Sequence, residues 1–182
     1  MNYKVEYVAL KRGFAVMKKY INMALEMGAK NAINFSISDI VFDPRVVLKC
    51  IFGCADYGVL HTCPYQKSPL TMDEYQKIFE KYSQGIIIGC TDKPSSQEIS
   101  YKIEQECFYD GYYFAFSLSD CGLCQTCAKG KGKSCVYPQK ARPAFHSVGI
   151  DVFKTVRNLG LPIDVLQEED DPQNWYSAIF IK

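Results

Sequence analysis

The chain has 182 residues, of which 48% are hydrophobic and 23% are charged, and its formal net charge is +1. These values suit one domain with its own core, or one domain with a metal-bound lobe, and the near-neutral charge gives little electrostatic support for a nucleic-acid groove. The charged N-terminus lacks the apolar stretch of a secretory signal, and no apolar run approaches the roughly 20 residues of a membrane span.

The first half of the chain is predicted to contain helices, short strands and one irregular segment. Helices are predicted over 12–28 and 71–82, and strands over 32–36 and 39–42. Gly28 suits the C-terminal stop of the first helix. Thr71 is the predicted N-cap of the second helix, with Glu74 as its capping-box partner. An irregular cysteine-rich segment is expected between them, over about 50–69.

The second half is predicted to contain three strands and two helices. Strands are predicted over 85–89, 165–166 and 175–181, and helices over about 95–114 and 150–159. The first of these strands is an apolar run bounded by glycines, which is typical of a buried strand. Ser95 or Ser96 is the predicted start of the long helix. A second irregular cysteine-rich segment is expected over about 120–143.

The order of these elements predicts the fold class. Helices and strands are mixed without strict alternation, which favours an α+β fold. We expect a single compact domain over 1–182 with two long cysteine-rich metal-binding loops, at about 50–69 and 120–143. A bound metal would supply the order that loops of this length otherwise lack.

Nine cysteines in a chain without a secretory signal favour metal binding over disulfides, because the cytosol keeps thiols reduced. Their odd number would also leave one thiol unpaired. Disulfides remain an alternative for an oxidising or hyperthermophilic host. We therefore expect a soluble, cytoplasmic protein that binds neither nucleic acid nor membrane.

Four cysteines, which we call the second cysteine motif, lie close together: Cys121, Cys124, Cys127 and Cys135. Three thiols at every third position suit a tight loop around a [4Fe–4S] cluster, and the more distant cysteine can bind the fourth iron. Zinc sites more often use two separated C-x2-C pairs, whereas the two pairs here share Cys124. The spacing therefore favours iron–sulfur over zinc, with no metal as the remaining alternative. Lysines 129, 131 and 133 would offset cluster charge, meet an acidic partner, or form an ordinary solvated loop.

Three further cysteines form the first cysteine motif: Cys50, Cys54 and Cys63. Three thiols are one ligand short of a closed site. The candidates for the fourth position are Cys90, His61, Asp56 and a ligand from outside the chain. Cys90 in that position would complete a second structural or electron-carrying cluster, whereas an open position could bind a substrate or cofactor. The alternative is that some of these thiols are ordinary buried cysteines.

Two other residues have less specific expectations. Cys107 lies on the apolar face of its predicted helix and is expected to pack in the core. His146 is expected to cap or pack against the helix that follows it.

The two cysteine motifs and the segments around them occur in a characteristic order over about 39–166. It is carried by the segments FDPRVVLKCIFGCADYGVLHTCPY, YDGYYFAF and CGLCQTC, followed by SCVYPQKARPAFHSVGIDVFKTVRNLGLPIDVL. It resembles the cysteine-rich "predicted metal-binding protein" family of bacteria and archaea, which is frequent in anaerobes. The resemblance implies metal binding by the seven motif cysteines and implies no particular reaction. Tyr65 stands where the family pattern has a second proline, and Cys90 and Cys107 lie outside the pattern, which favours a first site completed by neither.

The leading prediction is an iron–sulfur protein with up to two [4Fe–4S] clusters that transfers electrons or serves as the redox partner of another enzyme. One alternative is an enzyme that binds substrate at an open position of the three-cysteine cluster. Another is a zinc-binding structural or interaction module. The expected partner is a redox protein.

Overall fold

A computed structural model describes residues 16–67, 70–168 and 171–182. Four antiparallel strands form a sheet in the order β1–β2–β4–β3. The strands are β1 (Asn31–Ser36), β2 (Gln84–Cys90), β3 (Phe116–Leu118) and β4 (Trp175–Phe180). The described helices are α1 (16–26), α2 (Val47–Gly53), α3 (Pro64–Lys67), α4 (Met72–Phe79), α5 (Lys93–Tyr109) and α6 (Val152–Asn158). The predicted α+β class is confirmed.

Both faces of the sheet are covered, and this explains why β2 is an almost unbroken apolar run. Side chains alternate between faces along a strand, so Ile86 and Ile88 pack with α1 and α5 while Ile87 packs on the opposite face. All three isoleucines are fully buried. Gly85 leaves room for its neighbours, since a Cβ there would lie 2.5 Å from the Phe35 ring.

The opposite face is covered by two long connections, 37–83 between β1 and β2 and 119–174 between β3 and β4. The hydrogen bonds between them include Asp43 N–H to Gly149 O at 2.9 Å, Asp151 N–H to Val41 O at 2.8 Å, and Val41 N–H to Thr155 Oγ1 at 3.0 Å. Each connection carries one cysteine motif. Their joint packing therefore brings both motifs to the same side of the molecule.

Most predicted elements are confirmed, and so are two of the predicted helix ends. Glu74 N–H donates to Thr71 Oγ1 at 3.3 Å, and Thr71 N–H donates to the Glu74 carboxylate at 2.8 Å, which completes the capping box of α4. Gly28 has a φ of 98° after α1, a conformation that glycine adopts without strain. Residues 12–15 of the first predicted helix lie outside the described residues.

The strands predicted over 39–42 and 165–166 are wrong. Residues Ile37–Asp39 form a 3-10 turn, because the Ser36 N–H donates to the Asp39 carboxylate at 2.7 Å and bends the chain after β1. Phe42 makes only an isolated bridge, to Ile150. Residues 161–166 are irregular, and the apolar pair within them is exposed without a pairing strand.

The predicted start at Ser95 or Ser96 and the predicted end of the long helix are also wrong. Asp92 is the N-cap of α5, and its carboxylate accepts from Ser95 N–H at 2.8 Å. The helix ends before Gly111, whose φ is 94°, and this leaves Phe116–Leu118 to form β3, a strand that was not predicted.

The first cysteine-rich segment is more regular than predicted. It begins within α2 and contains α3, so the loop between these helices is shorter than 50–69. The second segment contains one 3-10 turn, Lys129–Lys131, and is otherwise irregular. The extent of the domain over 1–182 stays a prediction. None of the described helices combines the length and apolarity needed to cross a bilayer.

Candidate metal centre

All four thiols of the second cysteine motif line one small cavity of about 50 Å³. Cys121, Cys124 and Cys135 are partly buried, and Cys127 is exposed. The other wall includes Leu60, His61 and Thr62, from the connection that carries the first motif. The structure thus brings together the four cysteines that the spacing predicted as one ligand set, and it adds a wall that the spacing did not reveal.

A stripe on α5, formed by Gln97, Tyr101 and Glu104, holds the segment that carries the second motif. These residues are spaced at i, i+4 and i+7, so they share one helix face. The Gln97 side chain is fully buried. Its Oε1 accepts from Gly122 N–H at 2.5 Å, and its Nε2 donates to Lys140 O at 3.3 Å. One side chain therefore ties the entry of the cysteine loop to its exit.

Glu104 also anchors this segment, two turns further along the helix. Its carboxylate accepts from Ser117 N–H at 2.8 Å and from Arg142 Nη2 at 2.5 Å. Both charged side chains are largely buried, with exposed fractions of 12% for Glu104 and 14% for Arg142. The Arg142 guanidinium also lies 5.3 Å from the centre of the Tyr101 ring and 5.4 Å from that of Phe116.

These supporting residues were not predicted from the sequence. The available signal was a polar stripe next to the apolar face of α5 that carries Ile99, Ile103 and Cys107, because a polar side chain close to the protein interior needs a partner. Its partners lie 13 to 43 positions away along the chain. Spacing within the helix gives no indication of them.

The protonation of the Cys121 thiol reflects this environment. Burial raises its pKa, while hydrogen bonds from the Leu123 N–H and the Gln97 side chain lower it. The neighbouring thiols of Cys135 and Cys124 raise the pKa further. A metal that binds here must therefore displace protons, and the N–H donors would then stabilise the thiolates.

The three cysteines of the first motif lie in or next to the short helices α2 and α3. Cys50 lies on α2 with an exposed fraction of 5%, Cys54 follows the end of α2 and is exposed, and Cys63 immediately precedes α3. Gly58 N–H donates to Cys63 Sγ at 3.2 Å. Burial raises the pKa of the Cys50 thiol, and the nearby thiols of Cys54 and Cys63 raise it further. The thiols of Cys54 and Cys63 therefore lie within electrostatic range of the Cys50 thiol.

Tyr65, the departure from the family pattern, lies beside this motif. Burial raises its pKa, with smaller contributions from Cys50 and Cys63, and its hydroxyl contacts Met72 Sδ at 3.7 Å. Its ring packs 5.1 Å from that of Tyr57. The first motif is therefore flanked by two aromatic rings.

The fourth-ligand candidates differ in position. Cys90 lies in the core cluster between the sheet and helices α1 and α5, and burial raises its pKa to about 11. Cys107 is fully buried in the same cluster, in agreement with its predicted packing role. His61 lines both the cavity of the second motif and a separate pocket beside Cys63. Asp56 is exposed, and its Oδ1 lies 4.0 Å from the position that a Cβ on Gly130 would occupy.

A large open groove of about 1070 Å³ adjoins the first motif at Cys54. It runs between α2 and the segment 146–153, and its lining includes His146 and a wall of apolar side chains. His146 was expected only to cap or pack. Partial loss of hydration lowers the pKa of the His146 imidazole, and the nearby Asp120 carboxylate raises it.

The donor set of the second motif fits a soft metal, because its four cysteines line one cavity and the Leu123 N–H and the Gln97 side chain favour the thiolate form of Cys121. In the part of the chain that the structure describes, no three His, Cys, Asp or Glu side chains are arranged as ligands of a single ion. All nine cysteines are free thiols.

Comparison with known proteins identifies a family but no individual relative. No curated protein and no solved structure matches the chain. A family model described as "Predicted metal-binding protein (DUF2284)" matches residues 34–181, a span that includes both cysteine motifs. The chain therefore belongs to this family of predicted metal-binding proteins.

Proposed function

We propose that this protein binds iron–sulfur clusters and transfers electrons. The second motif would hold one [4Fe–4S] cluster through Cys121, Cys124, Cys127 and Cys135. The observation that carries the proposal is that all four thiols line one cavity. A four-thiolate cluster of this kind cycles between oxidation states and thereby accepts and releases single electrons.

The first motif would hold a second cluster, and its position supports a relay. Leu60, His61 and Thr62 form part of the wall of the second motif's cavity, and the next residue is Cys63. The two proposed sites therefore share the segment 60–63. Electrons could pass between adjacent sites without crossing the rest of the protein.

The exposed side of the second motif supports a redox protein as the partner. Cys127 is exposed, and Lys131 and Lys133 are exposed in the loop that follows it. An acidic partner surface would be attracted to these lysines, and its association rate would fall as salt is added. We place the protein in the reducing cytoplasm, where free thiols persist.

The test of the proposal is anaerobic purification followed by iron, sulfide and zinc analysis and an absorption spectrum in the sulfur-to-iron charge-transfer region. Iron and labile sulfide in similar amounts, with one or two clusters per chain, are the expected result. A colourless protein with stoichiometric zinc and no sulfide would refute the iron–sulfur assignment and support a zinc-binding structural or interaction module.

A second candidate function is an enzyme that uses the first motif as an open site. The groove that adjoins Cys54 favours it, because a metal held by three thiolates can take a fourth ligand from a substrate. The discriminating measurement is whether the cluster of the first motif changes its spectrum on addition of small ligands.

A further inference from the structure

The outer face of α2 forms one wall of the groove and is unusually apolar for an exposed surface. Phe52 is 83% exposed and Leu48 is 51% exposed, and both line the groove. Phe153, on the opposite wall, is 36% exposed. Single exposed apolar residues are common, but a concave group of them beside a few polar groups is typical of a site for a small organic ligand.

The groove ends at the first cysteine motif. Cys54 is exposed and belongs to the groove lining, whereas Cys50 of the same motif is a buried residue of α2 outside that lining. A molecule lying along the apolar walls would therefore reach the motif from the side of Cys54. This is the side on which a three-thiolate site could accept a ligand from outside the chain.

The charges of the lining favour an anionic group on the ligand. The Asp43 carboxylate is neutralised by Arg45 at 2.5 Å and by Lys154 at 3.6 Å, and Lys154 also lies 3.6 Å from Asp151. Lys49 also lines the groove, and none of the ion pairs among the described residues involves its ammonium group. Within the part of the chain that the structure describes, the groove lining therefore has a lysine without an ion-pair partner, on the residue before Cys50.

We propose that the groove binds a small organic carboxylic acid with an apolar body, which packs on Phe52 and Leu48 while its carboxylate pairs with Lys49 at the edge of the three-thiol site. Any action of the bound acid on a metal depends on the proposed metal site at Cys50, Cys54 and Cys63. Binding of the acid itself depends only on the groove.

The test uses the purified, metal-loaded full chain and three carboxylate probes: hexanoate, 4-phenylbutyrate and indole-3-butyrate. Calorimetry measures their affinity, and 4-phenylbutyramide serves as the uncharged analogue. The expected result is binding that strengthens with apolar size and weakens about fivefold for the amide, in keeping with the loss of one exposed charge pair. Failure of all three acids to bind would overturn the proposal.

Two variants locate the binding. Lys49→Gln should weaken binding of 4-phenylbutyrate about fivefold, and Phe52→Ala should weaken it by a similar factor through lost apolar contact. Lys102→Gln is the matched control, because Lys102 is an exposed α5 residue outside the groove lining. Unchanged affinity in both groove variants would overturn the assignment of the site.

The metal content of the same samples separates this inference from the proposed function. Absence of iron and sulfide refutes the proposed function, whereas ligand binding that depends on Lys49 still supports the groove. A change in the cluster spectrum on ligand addition, abolished by Lys49→Gln, would show that the bound acid reaches the metal site.

Discussion

Replacing Gln97 by leucine tests whether α5 positions the second cysteine motif. The substitution keeps a buried side chain of similar size but removes both amide hydrogen bonds, to Gly122 N–H and Lys140 O. A buried group left without a partner costs about 1–3 kcal/mol. Lys140 is exposed, so its carbonyl can bond to water, and Gly122 is only partly buried. We therefore expect the free energy of unfolding to fall by about 1–3 kcal/mol, the cost of one group.

The effect on the metal should exceed the effect on stability, because the Gln97 side chain also lowers the pKa of the Cys121 thiol and so favours the thiolate that binds metal. Loss of a group that supports a metal ligand typically reduces affinity by about 10–100-fold. Metal affinity is measured by competition with a chelator under anaerobic conditions, and stability by urea unfolding. Gln105→Leu is the matched control, since Gln105 is exposed on the same helix. Wild-type metal affinity in the Gln97 variant would refute the positioning role, whatever its stability.

Three further predictions concern a proposed metal ligand, the buried ion pair of Glu104 and the thiols of the core. Cys124→Ser should remove the metal of the second motif, measured as iron per chain, whereas Cys107→Ser should leave metal content unchanged; equal metal loss in both would contradict the assigned ligand set. Glu104→Gln leaves the largely buried Arg142 guanidinium without its carboxylate and should lower the free energy of unfolding by about 2–3 kcal/mol, measured by urea unfolding. The control, Glu98→Gln on the exposed face of α5, should cost less than about 0.5 kcal/mol. Similar costs for the two variants would disprove the anchoring role of Glu104. Burial raises the pKa of Cys90 to about 11 and that of Cys107 to about 12, so the folded state keeps protons that the unfolded chain releases above about pH 9. Stability should therefore fall from pH 9 towards pH 11 by roughly 1 kcal/mol per pH unit and thiol, with a smaller slope in Cys90→Ala; a flat pH profile would contradict the burial of these thiols.

The local features of the fold were predictable because each depends on residues close in sequence. The Thr71–Glu74 capping box and the turn at Gly28 are encoded within a few positions. The predicted strand over 39–42 failed because a bond between Ser36 and Asp39 competes with strand pairing, and such a bond was not recognised in the pattern. The strand β3 was missed because it is three residues long and gains its stability from pairing with β4.

The sequence by itself determined the seven candidate metal ligands and their division into two motifs, because closely spaced cysteines, at C-x2-C intervals in the second motif, can converge within one local loop. Only the tertiary structure decided that the two motifs lie side by side, that α5 supports one of them, and that a groove adjoins the other at Cys54. The physical reason is that these relationships arise where the connections 37–83 and 119–174 pack on the same face of the sheet. Contacts between residues so distant in the chain depend on the packing of the whole domain, so they cannot be predicted from local sequence patterns.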